Sequence, residues 1–189
     1  ASAMAMASAP WPWLWPWVKA KVMPRQKPRP MASSIANGSG DVLWAKRVRQ
    51  DGWQFPQGGM QEGESQQQAM YRELEEETGL KPEQVEIWGA SRDWLRYRLP
   101  KKMIRPSKGK VCIGQKQKWY LLHLLSEDSA VQLDRSHSPE FDRWEWVSYW
   151  YPLNQIVEFK REVYQRMLKE LSSIHAQKVA AYSRSSGTK

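Results

Sequence analysis

Six glutamates lie within sixteen residues of this chain, at positions 62, 64, 73, 75, 76 and 77, and Arg72 is the one cation among them. If this stretch is helical, each side chain is rotated by about 100° from the last, so Glu73, Glu76 and Glu77 share an arc of about 100°. Glu75 then points away. Clustered carboxylates repel one another, and a hard divalent cation such as Mg2+ or Mn2+ would offset that cost. The spacing therefore predicts a metal site on one face of a helix.

The residues beside these glutamates fit the same chemistry. Arg72 precedes Glu76 by four residues, so it can orient that carboxylate through a charge-assisted hydrogen bond; direct contact with a substrate is the alternative. Gly58 and Gly59 suit a loop whose backbone closely approaches a metal or a phosphate, although a tight turn would also use them. The plainest other interpretation of the stretch is an acidic surface helix that ends at Gly79.

The rest of the chain is cationic. It carries 29 Lys plus Arg against 20 Asp plus Glu, for a formal net charge of +9. Residues 1–40 contain five cations and no anion, and residues 96–118 contain nine cations and no anion. Cations beside a carboxylate site would offset the charge of bound phosphates, whereas a solvated basic surface is the simpler explanation. The combination of acidic and basic segments favours a polyanionic substrate held next to a metal.

Length and composition exclude several classes of protein. The 189 residues are enough for one domain with a substantial core. The single cysteine, Cys112, cannot form an internal disulfide, so we exclude a disulfide-stapled secreted scaffold and expect a buried, inert thiol in the cytoplasm. Because no uninterrupted apolar run reaches the length of a membrane span, we expect no association with a membrane. His123 and His137 have no partner at metal-ligand spacing and are expected to be structural or solvated.

Periodicity and turn residues predict the elements that would position the glutamates. The glutamate helix should span about residues 65–78, because Gly79 and Pro82 follow it. A second helix, over about residues 160–174, has one apolar stripe. Strands are predicted near residues 42–44, 53–55, 84–90, 93–98, 117–125 and 143–148. These elements predict an α+β fold in which helices flank a mixed sheet.

The two ends of the chain differ from this middle part. Prolines and tryptophans recur in residues 1–34, which include the stretch WPWLWPW. We interpret them as a disordered or aberrant N-terminal extension, with a cleavable targeting peptide as the alternative. A globular domain is predicted over residues 35–176, and a flexible tail over residues 177–189.

Residues 58–80, GGMQEGESQQQAMYRELEEETGL, match the template G-x5-E-x7-R-E-U-x-E-E-x-G-U at every fixed position, where U is aliphatic. This pattern is the Nudix box, and the chain resembles the Nudix hydrolase family. The similarity extends to WQFPQGG, DWLRYRLP, CIGQKQKWYLL and PEFDRWEWVSYWYPL. In these segments the chain resembles the bacterial RNA pyrophosphohydrolases of that family.

The resemblance implies the Nudix fold, a mixed β-sheet sandwiched between α-helices. It also implies Mg2+- or Mn2+-dependent attack of water on 5′-triphosphorylated RNA, which leaves a 5′ monophosphate and initiates mRNA decay. Two alternatives stay open: a hydrolase of dinucleoside polyphosphates such as diadenosine tetraphosphate, and a non-catalytic RNA-binding module. No DNA-specific binding is expected, and the resemblance does not identify a protein partner.

The resemblance also implies a set of site residues. The implied metal ligands are Gly58, Glu73, Glu76, Glu77 and Glu140. Either Glu77 or Glu140 would be the general base, and Arg72 would belong to the same catalytic site. The implied positions for binding RNA are Arg47, Tyr97, Val157, Phe159 and Lys160, and Arg29 matches an arginine that contacts phosphate in the family. Gln115, Lys116 and Lys118, on or beside one predicted strand, are candidates to hold phosphates, although Lys116 and Lys118 could instead be plain surface residues. Without the resemblance, Val157 and Phe159 would be assigned to the core.

The chain departs from the family pattern at two places. Residues 31–35 are too polar, and one residue too short, for the strand that follows an Arg-Pro pair in the family. This departure predicts a weakened sheet edge or an aberrant start. Gly52 stands where relatives can offer a hydroxyl to an RNA base, which leaves the base preference open.

Overall fold

The structure, a computed structural model, describes residues 30–48, 52–104, 106–107, 110–111, 113–136 and 138–186. The expectations for the N-terminal extension, Arg29, Cys112 and His137 lie outside these ranges. Within them, no helix is both long enough and apolar enough to cross a lipid bilayer.

The described residues form ten strands and three helices. The strands are β1 (Pro30–Ala36), β2 (Val42–Arg47), β3 (Trp53–Gln54), β4 (Gln57–Gly59), β5 (Val85–Ala90), β6 (Leu95–Arg98), β7 (Pro106–Ser107), β8 (Lys110–Val111), β9 (Gly114–Leu124) and β10 (Phe141–Val147). The helices are α1 (Gln66–Thr78), α2 (Tyr151–Gln155) and α3 (Glu158–Ser186), and short 3-10 turns span Pro82–Gln84, Lys101–Met103 and Asp128–Ala130.

Eight of the strands form one central sheet. Its main path is β10-β2-β1-β9-β5, and β3, β4 and β6 pair with β2, β1 and β9, respectively. Strands β1 and β9 run parallel, and the other pairs are antiparallel. Strands β7 and β8 form a separate hairpin. The predicted mixed sheet is therefore confirmed.

Two apolar layers separate the sheet from the helices. Because side chains alternate along a strand, Trp119 and Leu121 of β9 pack with α3, whereas Tyr120 and Leu122 pack with α1. This alternation holds one sheet between α1 on one face and the two C-terminal helices on the other, as the resemblance implies.

Strand β1 corrects the expectation of a weakened edge. All seven of its residues are buried, and it lies in the middle of the sheet. Met31 and Ile35 face α1, whereas Ala32 and Ala36 face α3. The polarity of this strand misled the prediction because β2 and β4 on one side and β9 on the other pair with its backbone, whatever the polarity of its side chains. The central sheet therefore includes residues 30–34, which precede the predicted domain start at residue 35.

Helix α1 matches its prediction. The Ser65 hydroxyl accepts the N–H of Gln68, and the Gln68 side chain accepts the N–H of Ser65, so the first turn is capped reciprocally. The helix ends where Gly79 takes the left-handed φ of 72°. Met70 and Leu74 are buried against the sheet, which leaves Glu75 and Glu76 exposed.

Helix α3 is longer than predicted. It continues past residue 174 to Ser186, so the tail expected from residue 177 is helical over most of its length. Val179 packs against the core, and Tyr182 covers Gly38 in the β1–β2 turn. The extra turns of helix are therefore held by contacts with that turn, which the local sequence does not reveal.

Candidate active site

The glycine strand β4 lies against the glutamate face of α1. A Cβ atom at Gly58 would collide with the carboxylate of Glu73. A side chain at position 58 would therefore displace the Glu73 carboxylate from this position. The backbone of β4 and the Glu73 carboxylate thus form one wall of the site.

Arg72 joins this loop to the helix. Its Nε donates to Glu64 at 2.6 Å, and its Nη1 donates to Glu73 at 2.8 Å and to Glu76 at 3.2 Å. Its Nη2 donates to the Gly59 carbonyl at 2.7 Å. The predicted contact with Glu76 is present, and the contacts with Glu64 and Glu73 are stronger.

The environment of Arg72 favours its protonated, positively charged form. Burial opposes it, but hydrogen bonds with Glu64 and Glu73 outweigh burial and raise the pKa of Arg72. The hydrogen bond from Arg72 in turn lowers the pKa of Glu64. Arg72 therefore acts as a fixed cation that orients the carboxylates of α1.

Glu73 and Glu77 resist ionisation. Burial raises the pKa of Glu73 to about 7, although Arg72 opposes the shift. Glu77 is 6% exposed, and burial followed by the charge of Glu140 raises its pKa well above the usual range. One oxygen of Glu77 accepts the N–H of Gln57 at 2.8 Å, which fixes its orientation.

Glu140 reaches this cluster from the segment before β10. Its backbone carbonyl accepts the N–H of Val48 at 2.9 Å. Its carboxylate forms an ion pair with Arg47 at 3.0 Å and accepts a hydrogen bond from Gln54 at 3.4 Å. Its charge acts on both Glu73 and Glu77, so the structure brings Glu140 to the glutamate helix across a large sequence separation.

The donor set fits a hard divalent cation. In the part of the chain that the structure describes, no three acidic, histidine or cysteine side chains already converge as formed metal ligands. The oxygens of Glu73 and Glu76 instead engage Arg72, and those of Glu140 engage Arg47. Buried carboxyls with raised pKa values are nevertheless an unfavourable arrangement that a bound cation would relieve.

Aromatic and cationic residues lie next to the carboxylates. The rings of Tyr97 and Phe159 are 5.7 Å apart, and Lys160 Nζ lies 5.7 Å from the centre of the Tyr97 ring. Lys160 is 7% exposed, and burial together with the charge of Arg47 lowers its pKa to about 8. Val157 is 44% exposed, so it does not belong to the core.

The predicted phosphate contacts on β9 divide between two faces. The Tyr97 hydroxyl donates to Gln115 at 2.6 Å, so Gln115 belongs with the aromatic pair. Lys116 and Lys118 lie on the opposite face of β9, because side chains alternate along a strand. The ammonium of Lys118 donates to the Arg92 carbonyl at 2.9 Å.

Sequence reasoning assigned no role to three residues of the site. Gln54 contacts both Glu140 and Lys160, Gln57 fixes Glu77, and Glu64 holds Arg72. Glu64 was visible in the box pattern, and the two glutamines were visible as polar residues in the stretch WQFPQGG. Their roles depend on contacts between elements, which the pattern does not specify.

The fold and the carboxylate helix together define a Nudix hydrolase. The family model described as the NUDIX domain matches residues 27–169, and the chain belongs to this family. It is thus an enzyme of the class that generally uses divalent metal ions to cleave phosphoanhydrides.

Two relatives have high sequence identity to this chain over most of its length. The RNA pyrophosphohydrolase of Teredinibacter turnerae is 62% identical over 142 residues, which cover 75% of this chain and 82% of that protein. The RNA pyrophosphohydrolase of Shewanella piezotolerans is 59% identical over 138 residues, which cover 73% and 80%.

Solved structures support the fold alone. The E. coli dihydroneopterin triphosphate pyrophosphohydrolase has a TM-score of 0.57 at 19% identity, covering 75% of this chain and 94% of that one. A binary complex of the C. elegans Ap4A hydrolase has a TM-score of 0.54 at 22% identity, covering 80% and 99%.

Proposed function

We propose that this protein is an RNA pyrophosphohydrolase, which converts the 5′ triphosphate of RNA to a 5′ monophosphate and so initiates mRNA decay. The observation that carries the proposal is the cluster formed by the buried Glu77 with the half-buried Glu73 and Glu140, next to the Tyr97–Phe159 pair. The names of the relatives at about 60% identity support the same substrate. We further propose that the enzyme acts in the cytoplasm, where its substrate is found.

The carboxylates and Gly58 are the proposed cation site. Glu73, Glu76, Glu77 and Glu140 would hold Mg2+ or Mn2+ together with the backbone at Gly58. When bound, the cation would lower the pKa of the attacking water and offset the charge on the phosphoryl oxygens. Arg72 keeps Glu73 and Glu76 oriented, and the approach at Gly58 leaves no room for a competing side chain.

Glu77 or Glu140 is the proposed general base, which accepts a proton from the attacking water. Water adds to phosphorus and an anhydride P–O bond breaks, so that pyrophosphate, or orthophosphate in two steps, leaves. The proton of the water passes to the carboxylate. Burial and the neighbouring Glu140 raise the pKa of Glu77, which makes its carboxylate a stronger base than an exposed glutamate.

The aromatic pair is the proposed nucleotide pocket. Tyr97 and Phe159 can stack on a base near the 5′ end, since single-stranded RNA exposes the faces of its bases. Val157, Arg47, Gln115 and Lys160 complete the proposed pocket. Lys116 and Lys118 would contact phosphates from the other face of β9, and Arg29, which lies outside the described residues, is proposed to do the same.

Hydrolysis of dinucleoside polyphosphates is the second candidate. The same carboxylates would cleave any phosphoanhydride, and the same aromatic pair would stack on adenine. Competition between the two substrates distinguishes the candidates. We expect kcat/KM for 5′-triphosphorylated RNA, measured as pyrophosphate release with Mg2+, to be well above that for diadenosine tetraphosphate.

The matched control is the same RNA carrying a 5′ monophosphate, which should yield no product. A preference for diadenosine tetraphosphate would replace the proposed function with the second candidate. Binding of triphosphorylated RNA without turnover, in the presence of Mg2+ or Mn2+, would instead indicate a non-catalytic RNA-binding module.

A further inference from the structure

Gln54 lies between the proposed nucleotide pocket and the carboxylate cluster. Its side-chain oxygen accepts a hydrogen bond from Lys160 Nζ at 3.1 Å. Its side-chain nitrogen donates to Glu140 Oε1 at 3.4 Å. One amide group therefore joins a pocket residue to a proposed metal ligand.

The orientation of this amide is determined by its two neighbours. A lysine ammonium can only donate hydrogen bonds and a carboxylate can only accept them, so rotating the amide by 180° would break both contacts. Gln54 is 3% exposed, which leaves little access for water to replace either partner. Its backbone is fixed as well, because Gln54 pairs with Ala45 of β2.

The same arrangement is not repeated elsewhere around the described site. Gln57 contacts Glu77 through its backbone N–H, and its side chain accepts a hydrogen bond from Gln117. That side chain therefore contacts a neutral group rather than a charged one. Gln54 differs because both ends of its amide bind charged groups with separate proposed tasks.

We propose that Gln54 is a positioning residue that couples occupancy of the nucleotide pocket to the orientation of Glu140. This inference rests on the proposed function, in which Lys160 meets the nucleotide and Glu140 holds the cation. A base that immobilises Lys160 also immobilises the amide of Gln54, and the amide then holds Glu140. Part of the ordering that a cation requires of Glu140 has then already occurred, so the two ligands bind cooperatively.

Cooperativity of this kind is reciprocal and can be measured without turnover. A nucleoside should tighten the binding of Mn2+ by the same factor by which Mn2+ tightens the binding of the nucleoside. A nucleoside without phosphates is the appropriate probe, because it cannot contact the cation through phosphate oxygens. Coupling of about fivefold would be typical of such linked sites.

The experiment measures Mn2+ affinity by electron paramagnetic resonance, with and without adenosine or guanosine at saturating concentration. The full chain is compared with Gln54→Met, which preserves side-chain length without hydrogen bonds. Gln54→Glu can still accept from Lys160 but cannot donate to Glu140. The exposed Gln165→Met serves as the matched control.

We expect the nucleoside to tighten Mn2+ binding about fivefold in the wild type and in Gln165→Met, and to have no effect in either Gln54 variant. With triphosphorylated RNA, Gln54→Met should lower kcat about tenfold while KM changes little, since Glu140 is misplaced and the aromatic pair is intact. Thermal unfolding of each variant verifies that it is folded.

Retention of the coupling in Gln54→Met, or absence of coupling in a wild type that hydrolyses triphosphorylated RNA, would overturn the role of Gln54. A wild type that couples nucleoside and Mn2+ but does not hydrolyse triphosphorylated RNA would overturn the proposed function and leave the link through Gln54 standing. If both Gln54 variants unfold, Lys160→Met supplies the test, because it removes the same link at its other end and should also abolish the coupling.

Discussion

Glu77 and Glu75 are two residues apart on α1, yet their environments are opposite. Glu77 is buried beside Glu140 and accepts the N–H of Gln57, whereas Glu75 is exposed on the far side of the helix. Helical periodicity alone predicts this difference. The chemical consequence is that the pKa of Glu77 is raised, so that its carboxylate is more basic than an exposed glutamate.

Glu77→Gln should abolish turnover and leave the affinity for triphosphorylated RNA largely intact, because RNA contacts other groups. Glu75→Gln, the matched control, should change neither property. Steady-state kinetics and filter binding measure the two effects. Equal losses in both variants would show that the assignment of helix faces is wrong.

The same substitution has a predicted effect on stability. A carboxyl whose folded pKa is raised contributes stability at low pH, and that contribution is lost as the pH rises through the folded pKa. Above that folded pKa, Glu77→Gln should therefore stabilise the metal-free protein, by about 2–4 °C in Tm for each kcal/mol. Thermal unfolding in EDTA over a series of rising pH values measures this, and a Tm that stays below that of the wild type throughout the series would argue against the buried charge.

Only part of the site could be inferred residue by residue. The Arg72–Glu76 contact and the common face of Glu73, Glu76 and Glu77 follow from spacing within one helix. The link from Gln54 to Lys160 spans 106 positions and depends on how β3 meets α3. No local pattern contains that information.

At the scale of elements, β6 and β9 place like charges together. Arg96 lies directly opposite Lys116, and neither forms an ion pair with any described residue. Lys118 shares the face of Lys116 and lies in the same cross-strand row as Gly58, through Met31 of β1. Like charges opposite each other destabilise a sheet, so we propose that a polyanion binds along the strip formed by Arg96, Lys116 and Lys118.

Lys116→Gln and Arg96→Gln should each weaken RNA binding and reduce the slope of log affinity against log salt by about 0.7, the value for one phosphate contact with a single strand. The slope is measured in the inactive Glu77→Gln background. Lys169→Gln, on the exposed face of α3, is the matched control and should leave the slope unchanged. Slopes equal to that of the control would show that Lys116 and Arg96 do not contact the RNA phosphates.

Strand β1 illustrates what element-level patterns miss. Ser33 and Ser34 made residues 31–35 appear unsuited to a strand, yet both serines are buried in the centre of the sheet. The pairing of β1 with β9 brings together residues about ninety positions apart, as Met31 with Lys118. Tertiary pairing of this kind overrides local propensity.

At the scale of the whole molecule, the C-terminal half of α3 packs against the β1–β2 turn. His175 contacts the Gly40 carbonyl at 2.8 Å and stacks on Tyr149, with ring centres 4.1 Å apart. Tyr182 packs against His123 with ring centres 4.8 Å apart. These contacts hold the C-terminal half of α3 against the β1–β2 turn and β9, whereas the local sequence predicted a flexible tail from residue 177.

This arrangement predicts that the free energy of unfolding is lower at acidic pH. Burial lowers the pKa of His175 and of His123, while Asp41 and Glu86 partly oppose the shifts. The unfolded chain therefore binds more protons, so the stability that neutral histidines contribute is present above about pH 6.5 and declines as the pH falls below it.

Urea unfolding at pH 7.5 and pH 5.5 tests this expectation. We expect the free energy of unfolding to fall more between these values in the wild type than in His175→Gln. The comparison cancels the opposite pH dependence of Glu73 and Glu77, which both proteins share. An unchanged pH dependence in His175→Gln would show that this contact does not sense protons.

The central claim is that the clustered carboxylates of α1 and Glu140 gather a divalent cation to cleave the 5′ triphosphate of RNA. The most direct measurement follows pyrophosphate release from 5′-triphosphorylated RNA by the wild type, first in EDTA and then after Mg2+ is added in excess. We predict no release in EDTA, and release with formation of 5′-monophosphorylated RNA once Mg2+ is present. Equal release in EDTA, or no release with either Mg2+ or Mn2+, would contradict the claim.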